Sequence, residues 1–143
     1  MAEQTNPPQL LTTLEEQTCW DLINSHNIGR LSLQMGHRID IFTVKYVVEH
    51  GHIFFQTRAE ETFSSIVVSR QVAFEVGEVH QDIVKSVIIH GTAQWYPYDI
   101  DLTAEHKAQS SLADPRIMNW VEVIPEEISG RQMSIVPLDA MNR

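Results

Sequence analysis

The sequence is poor in the features that mark disulfide-bonded, zinc-binding and membrane proteins. Cys19 is the single cysteine among 143 residues, which excludes an internal disulfide and a cysteine-based zinc site. No apolar run exceeds three residues, whereas a membrane-spanning helix needs about 20. The first residues also lack the basic and apolar regions of a signal peptide. We therefore expect a cytoplasmic protein without a membrane partner, in which Cys19 is a small apolar core residue.

Basic residues are also few. Ten lysines and arginines stand against 19 acidic residues, which gives a formal charge of −9. A polyanion would be repelled from most of such a surface, so we expect no nucleic-acid partner. The hydrophobic content of 43% predicts a packed core, and the length suits one domain. We predict a disordered lead over residues 1–12 and a single domain over residues 13–143.

Several catalytic motifs are missing as well. The sequence contains no Gly-x-Ser-x-Gly elbow, no P-loop and no His-Glu-x-x-His motif, so hydrolase and kinase functions have no support. His50 and His52 lie two residues apart across a predicted turn, but zinc needs three or four ligands. We therefore predict no metal site there, and we interpret His90 as an ordinary strand residue.

Three helices are predicted from capping residues and from apolar positions at helical spacing. Their predicted bounds are 13 to about 27, about 60 to 69, and Asp99 or Asp101 to about 112. The first begins at Thr13 and Glu16, which match a capping box. These helices interrupt a chain that otherwise alternates as strands do.

Seven stretches alternate apolar and polar residues or are rich in β-formers. They cover residues 29–35, 39–48, 52–57, 71–77, 84–96, 121–124 and 132–136. The apolar parity slips at Ile41 and Phe42, which predicts a bulge or a change of sheet. Gly91 is expected to bend the long fifth stretch, and Pro125 and Gly130 to separate the last two. Hairpin-joined strands with few helices favour an antiparallel α+β barrel.

Five sequence segments, in order and spacing, resemble the pyridoxamine 5′-phosphate oxidase-like family of flavin-binding split barrels. They are residues 28–32, 43–48, 53–57, 72–76 and 86–91. Residues 120–126 with Gly130 and Arg131 are similar to the family's closing strand, so the resemblance covers about residues 14–137. It implies a six-stranded antiparallel Greek-key split barrel of the α+β class. It also implies a homodimer that holds flavin mononucleotide (FMN) in clefts at the subunit interface. Trp95 and Trp120 are either interface or core residues.

The resemblance also implies where the cofactor would bind. The family commonly has Pro-Val-Asn-Tyr where this chain has Thr43-Val44-Lys45-Tyr46. Farther on it has Arg-Thr, matched here by Gln56 and Thr57, and then Gly-Thr-Lys, where this chain reads Glu60-Glu61-Thr62. The implied cofactor-binding residues are Thr43, Val44, Lys45, Tyr46, Gln56, Thr57, Arg58, Thr62, Lys85 and Ser86.

The departures from the family pattern bear on the phosphate clamp. Two usual cations are absent and two carboxylates, Glu60 and Glu61, are present. A unit charge about 4 Å from another is worth roughly 4 kcal/mol at an effective dielectric near 20, so a misplaced carboxylate would repel a phosphate strongly. Arg58, Lys45 and Lys85 are the cations that could compensate.

Two functions follow from these observations. The first is an FMN-dependent oxidoreductase acting on a small molecule, in which Lys45 stabilises the negative charge of the reduced flavin. Pyridoxamine phosphate is not the expected substrate, because the family's true oxidases end in a longer basic segment. The second is a split-barrel binding module that has lost the FMN clamp, or that binds haem or a deazaflavin instead.

Overall fold

The computed structural model describes residues 11–57, 70–98, 100–110 and 119–135. Within them the chain forms seven strands and two helices, numbered here in chain order. Their bounds are β1 Leu11–Thr13, α1 Glu16–Ser25, β2 Ile28–Met35, β3 Arg38–Glu49, β4 His52–Gln56, β5 Gln71–His80, β6 Ile83–Tyr96, α2 Ala104–Ser110 and β7 Trp120–Ser134. The helix predicted over residues 60–69 lies outside the described residues. Neither described helix has the length and apolarity that a membrane crossing requires.

Six of the strands close into an antiparallel barrel, in the order β2, β3, β4, β7, β6, β5 and back to β2. One edge of β7 pairs with β6 along its length, while the other edge pairs with β4 at its start and with β1 at its end. This arrangement confirms the predicted α+β antiparallel split barrel. The short strand β1 is an addition to the six predicted barrel strands.

Alternating side chains of the strands fill the barrel. Leu31, Phe74, Ile89 and Val123 are fully buried, and the residues next to each of them along its own strand face outward. Helix α1 packs against this core with Cys19, Leu22 and Ile23, so the prediction of a buried Cys19 is confirmed. Trp120 is also a core residue, in a smaller cluster with Val47 and Leu102. Trp95 packs partly against the main core.

The start of the domain differs from the prediction. Leu11 and Thr12 already pair with β7, so the disordered lead predicted over residues 1–12 is corrected at its last two residues. The capping box is wrong because Thr13 belongs to β1, and Glu15 is the N-cap without a side-chain cap bond. Helix α1 also ends earlier, at Ser25, because the backbone of His26 is already extended, with φ −121° and ψ 169°, and leads into β2.

The bulge predicted in β3 is wrong. The β2–β3 ladder runs unbroken, and Ile39 and Ile41 are outward-facing residues, 72% and 66% exposed, rather than inward ones after a slip. The register shift instead lies at His90 and Gly91, where β6 meets β7. A Cβ at Gly91 would lie 2.1 Å from the carbonyl oxygen of Ile124, so only glycine allows this approach.

The register shift at His90 and Gly91, a β-bulge in the β6–β7 pair, also explains a second difference from the predicted strands. The last two predicted strands, 121–124 and 132–136, are parts of the single strand β7. Pro125 cannot donate a backbone hydrogen bond, and the irregular register beside it accommodates this loss without ending the strand. Gly130 likewise remains within the ladder, paired with Val87.

Helix α2 begins later than predicted. Thr103 caps it, since its hydroxyl oxygen accepts a 3.2 Å hydrogen bond from the backbone of His106. Asp101 is therefore not the cap, and Asp99 and the predicted helix end near 112 lie outside the described residues. Glu49 of β3 ties the helix to the barrel by accepting hydrogen bonds from the Thr103 backbone at 3.2 Å and from His106 Nδ1 at 3.0 Å.

Candidate functional site

A polar strip crosses the outer face of the barrel. Alternation turns the odd residues of β3 and β5 outward together with the even residues of β2 and β6. On β1 and the second half of β7 the odd residues face outward. We define the outer-face strip as Thr43, Lys45, Arg30, Glu75, Ser86, Arg131 and Thr13.

A charged pair holds the centre of the strip. Arg30 and Glu75 are cross-strand partners, and Arg30 Nη2 and Nε lie 2.8 and 3.0 Å from Glu75 Oε1. Ser86 donates a 3.0 Å hydrogen bond from Oγ to Glu75 Oε2. Both carboxylate oxygens of Glu75 are thus satisfied, which limits the repulsion that it would exert on an anionic ligand.

Two grooves lie on either side of the Glu75–Ser86 contact. The first, of about 260 Å³, is lined by His26, Ile28, Arg30, Glu75 and Gly77 among others. The second, of about 380 Å³, has Ser86 in its wall together with residues of β1 and β7, including Thr13 and Arg131. The strip therefore offers two adjacent depressions rather than a flat surface.

The strip is cationic on an acidic chain. Lys45 and Arg131 are exposed, and neither side chain has a hydrogen bond or ion pair among the residues that the structure describes. Arg30 is neutralised by Glu75. The two unpaired cations give this face a local positive field, although the whole chain carries a charge of −9.

The predicted cofactor residues of β3 divide between the two faces of the strand. Thr43 and Lys45 are exposed on the outer face, whereas Val44 and Tyr46 point into the core. The Tyr46 backbone N–H donates a hydrogen bond to the carbonyl of Asn27, just before β2. Because successive residues of a strand direct their N–H and C=O groups to opposite sides, the backbone groups of Thr43 and Lys45 point away from β2. Backbone contacts to a ligand on the other side of β3 would therefore come from Thr43 and Lys45.

Two further predicted residues, Gln56 and Thr57, lie at the end of β4 and directly after it. Tyr46 pairs with Phe55, which brings Lys45 and Gln56 to adjoining positions of β3 and β4. Gln56 is 9% exposed, and Thr57 after it is half-buried. Arg58 and Thr62, with Glu60 and Glu61, lie outside the described residues.

The side chains of Lys85 and Ser86 lie on opposite faces of β6. Ser86 belongs to the strip, while Lys85 points the opposite way and pairs across the ladder with Glu78. The hydrogen bond from His26, 2.7 Å from Glu78 Oε1, lowers the pKa of Glu78, and the charge of Lys85 adds to this effect. Lys85 thus has a carboxylate neighbour across the ladder, whereas Lys45 is exposed and has no partner among the described residues.

The cofactor-binding residues predicted from the sequence do not include Arg30, Glu75, Arg131 or Thr13. The signal that could have found the first two is opposite charge at outward positions of strands that flank one another in the barrel. Strand order decides that Arg30 of β2 faces Glu75 of β5, 45 residues later. Strand order cannot be derived from the alternation of either strand alone.

The three histidines considered in the sequence analysis lie in different surroundings. His50 is an exposed turn residue with a φ of 54°. His52 lies 2.5 Å from Glu122 through Nδ1, and Tyr96 donates a 2.7 Å hydrogen bond to the other oxygen of Glu122. Within the described part of the chain no three His, Cys, Asp or Glu residues are grouped as metal ligands would be. His90 is exposed on the outer side of β6.

Comparison with known proteins gives consistent matches. A family model described as pyridoxamine 5′-phosphate oxidase matches residues 15–132. The chain is similar to a proposed pyridoxamine 5′-phosphate oxidase from Corynebacterium glutamicum, with 25% identity and a TM-score of 0.67 over 92% of this chain and 100% of the other. It is also similar to an FAD binding protein from Mycobacterium smegmatis, with 26% identity and a TM-score of 0.68 over 87% and 99% of the two chains.

A third solved structure shares the fold at lower identity. It is an FAD-binding protein from Mesorhizobium loti, 18% identical, with a TM-score of 0.71 over 88% of this chain and 100% of its own. No curated protein matches the chain. These matches agree with the barrel topology described above.

Proposed function

The chain belongs to the pyridoxamine 5′-phosphate oxidase family, and on that premise we propose that it binds a flavin on the outer-face strip and uses it to oxidise or reduce a small molecule. The observation that carries the proposal is Lys45, an exposed cation without a partner among the described residues, which adjoins Gln56 on the outer face of a chain of charge −9. The similarity to the FAD binding protein from Mycobacterium smegmatis supports the same proposal.

The residues of the strip suit an anionic ring cofactor. Lys45 and the amide of Gln56 adjoin each other on β3 and β4, and the backbone groups of Thr43 and Lys45 face away from β2. A bound flavin would supply electron or hydride transfer. The charge of Lys45 would favour the anionic reduced ring, and Glu75, already bonded to Arg30 and Ser86, would repel it little.

We also propose that the protein is a homodimer. Ile39 and Ile41 stand side by side on the outer face of β3, 72% and 66% exposed. Among the described strands, β3 pairs with β4 only from Tyr46 onward, so its first half offers an open edge beside these residues. A second copy covering this region would remove apolar surface from water, which is the main driving force of association.

The flavin proposal predicts that Lys45→Ala weakens flavin binding about tenfold or more. The estimate follows from a charge interaction of roughly 1.4 kcal/mol or more, which is tenfold in affinity. Titration of the apoprotein with FMN and FAD, followed by quenching of flavin fluorescence, measures the dissociation constants. The matched control is Arg38→Ala, which removes an equal charge from an exposed Arg38–Asp40 pair in β3.

A visible spectrum of the purified protein gives an independent test. The two-band absorption of oxidised flavin that survives gel filtration supports the proposal. A colourless protein that takes up neither FMN nor FAD would overturn it, and would favour the binding-module function suggested by the absence of the usual arginine at Gln56. If Lys45→Ala left both affinity and reduction potential unchanged, the assigned role of Lys45 would be wrong.

A further inference from the structure

The second groove contains an arginine that nothing in the described structure explains. We propose that this groove, which we call the Arg131 groove, is an anion-binding subsite for a phosphate or carboxylate group. It is lined by Thr13, Ser86, Ile88, Ser129 and Arg131, together with Leu11. The site itself is argued from these residues alone, whereas its position beside a flavin rests on the function proposed above.

The strand register places one hydroxyl side chain on each side of Arg131. Arg131 of β7 pairs with Thr13 of β1 on one edge and with Ser86 of β6 on the other. Directly opposed residues of antiparallel strands have Cβ atoms roughly 4.5–5.5 Å apart, so the three side chains share one small area of the outer face. A guanidinium between two hydroxyls presents several donors to one anion.

Two side chains of this row have donors available to a ligand. The Arg131 guanidinium and the Thr13 hydroxyl make no hydrogen bond within the parts of the chain that the structure describes. Ser86 already donates to Glu75 at 3.0 Å, so Arg131 and Thr13 are the donors of the row that remain for a ligand. An arginine commonly binds phosphate or carboxylate through two parallel hydrogen bonds, which makes it the principal anion ligand here.

The surroundings of the row limit the kind of ligand. Leu11 and Met133, which pair with each other next to Thr13 and Arg131, are 57% and 42% exposed. Ile88 adds a further apolar side chain to the groove. The Glu127 carboxylate lies on the same strand, two positions beyond Ser129, where Glu127 pairs with His90. The groove therefore fits a ligand with an anionic group and an apolar body.

The primary experiment measures binding of inorganic phosphate and pyrophosphate to the apoprotein by NMR titration, at constant ionic strength adjusted with chloride. We expect saturable shifts in residues of β1, β6 and β7. Arg131→Gln should weaken the affinity about tenfold or more, whereas Arg38→Gln should leave it unchanged. Arg131→Lys, which keeps the charge but loses the planar fork, should fall between them, and it provides a second variant if Arg131→Gln does not fold.

Two sources could supply the anion, and flavin titrations distinguish them. If it is the second phosphate of a dinucleotide cofactor, Arg131→Gln weakens binding of FAD but not of FMN. If it is a substrate group, the variant binds both flavins normally, and phosphate still binds to the flavin-loaded protein. Either result supports the subsite.

Three results would overturn the proposal. The first is that phosphate does not bind saturably. The second is that wild type and Arg131→Gln bind phosphate with equal affinity. The third is that Arg131→Gln binds FMN and FAD more weakly by the same factor and that FMN displaces phosphate from the protein. The last result would make Arg131 part of the flavin's own phosphate site. A protein that binds phosphate through Arg131 but takes up no flavin would keep the subsite and reject the flavin function.

Discussion

Tyr46 shows how a motif residue can serve the fold rather than the ligand. The family resemblance places it among the cofactor residues, yet its side chain is 1% exposed and points into the barrel. Its hydroxyl donates a 2.6 Å hydrogen bond to the carbonyl of Ile23, and its ring meets Phe74 edge-on at a centroid distance of 5.1 Å. Burial raises the pKa of Tyr46 well above its ordinary value. The residue thus ties α1 to β3 and β5.

We predict that Tyr46→Phe lowers the free energy of unfolding by about 0.5–1.5 kcal/mol, because the carbonyl of Ile23 keeps only the longer, 3.4 Å hydrogen bond from the backbone of His26. Flavin affinity should not change, since the hydroxyl faces the core. Urea denaturation followed by circular dichroism measures the first quantity, and flavin titration measures the second. A variant of normal stability with weakened flavin binding would show instead that Tyr46 acts on the ligand.

At the scale of elements, the Glu49 carboxylate of β3 ties the start of helix α2 to the barrel. Glu49 accepts hydrogen bonds from the Thr103 backbone and from His106, and the Glu49 side chain is only 10% exposed. Burial by itself would raise the pKa of Glu49, but these hydrogen bonds and the charges of His106 and His50 outweigh it and lower the pKa. Ionised Glu49 therefore stabilises the folded state.

This stabilisation has a defined pH dependence. It is fully present above the ordinary carboxyl pKa of 4.5 and is lost as the pH falls through the lowered value in the folded protein. We predict that Glu49→Gln lowers the free energy of unfolding by about 1.5–3 kcal/mol at pH near 6, and by much less near pH 3.

Urea denaturation across this pH range measures the difference between Glu49→Gln and the wild type. Hydrogen exchange should show faster exchange in α2 of the variant at the higher pH. Asp40→Asn, at an exposed pair with Arg38, is the control and should change stability little. A difference between Glu49→Gln and wild type that stayed constant down to pH 3 would contradict the assigned role of the carboxylate.

For the whole molecule, alternation predicted the barrel but not its closure or its outer face. The inward rows of β2 and β5, such as Leu31 and Phe74, follow directly from period-two patterns. The pairing of Arg30 with Glu75, and of Arg131 with Thr13 and Ser86, depends on strand order and on the bulge at Gly91, which reverses the facing of β7 beyond it. Local sequence does not encode that order, so most of the candidate strip was missed.

The isoleucines of β3 were misread for a related reason. Ile39 and Ile41 follow the period-two alternation of β3, but they lie on its outer face. They indicate a break in the alternation only if every isoleucine is assumed to point into the barrel. An exposed pair of this kind is explained more simply by an interface than by a bulge. This consideration links the misread pattern to the proposed homodimer.

We predict that Ile39→Asp combined with Ile41→Asp converts the proposed homodimer into a monomer while the barrel stays folded, because both side chains face away from the core. Sedimentation equilibrium at micromolar concentration measures the mass, and circular dichroism checks the fold. Val79→Asp replaces a residue that is 71% exposed beside the β5–β6 turn, far from the β2–β3 turn, and should leave the dimer intact. A wild-type monomer would reject the dimer itself. Dissociation by Val79→Asp alone would move its interface to the other end of the barrel, away from the open edge of β3.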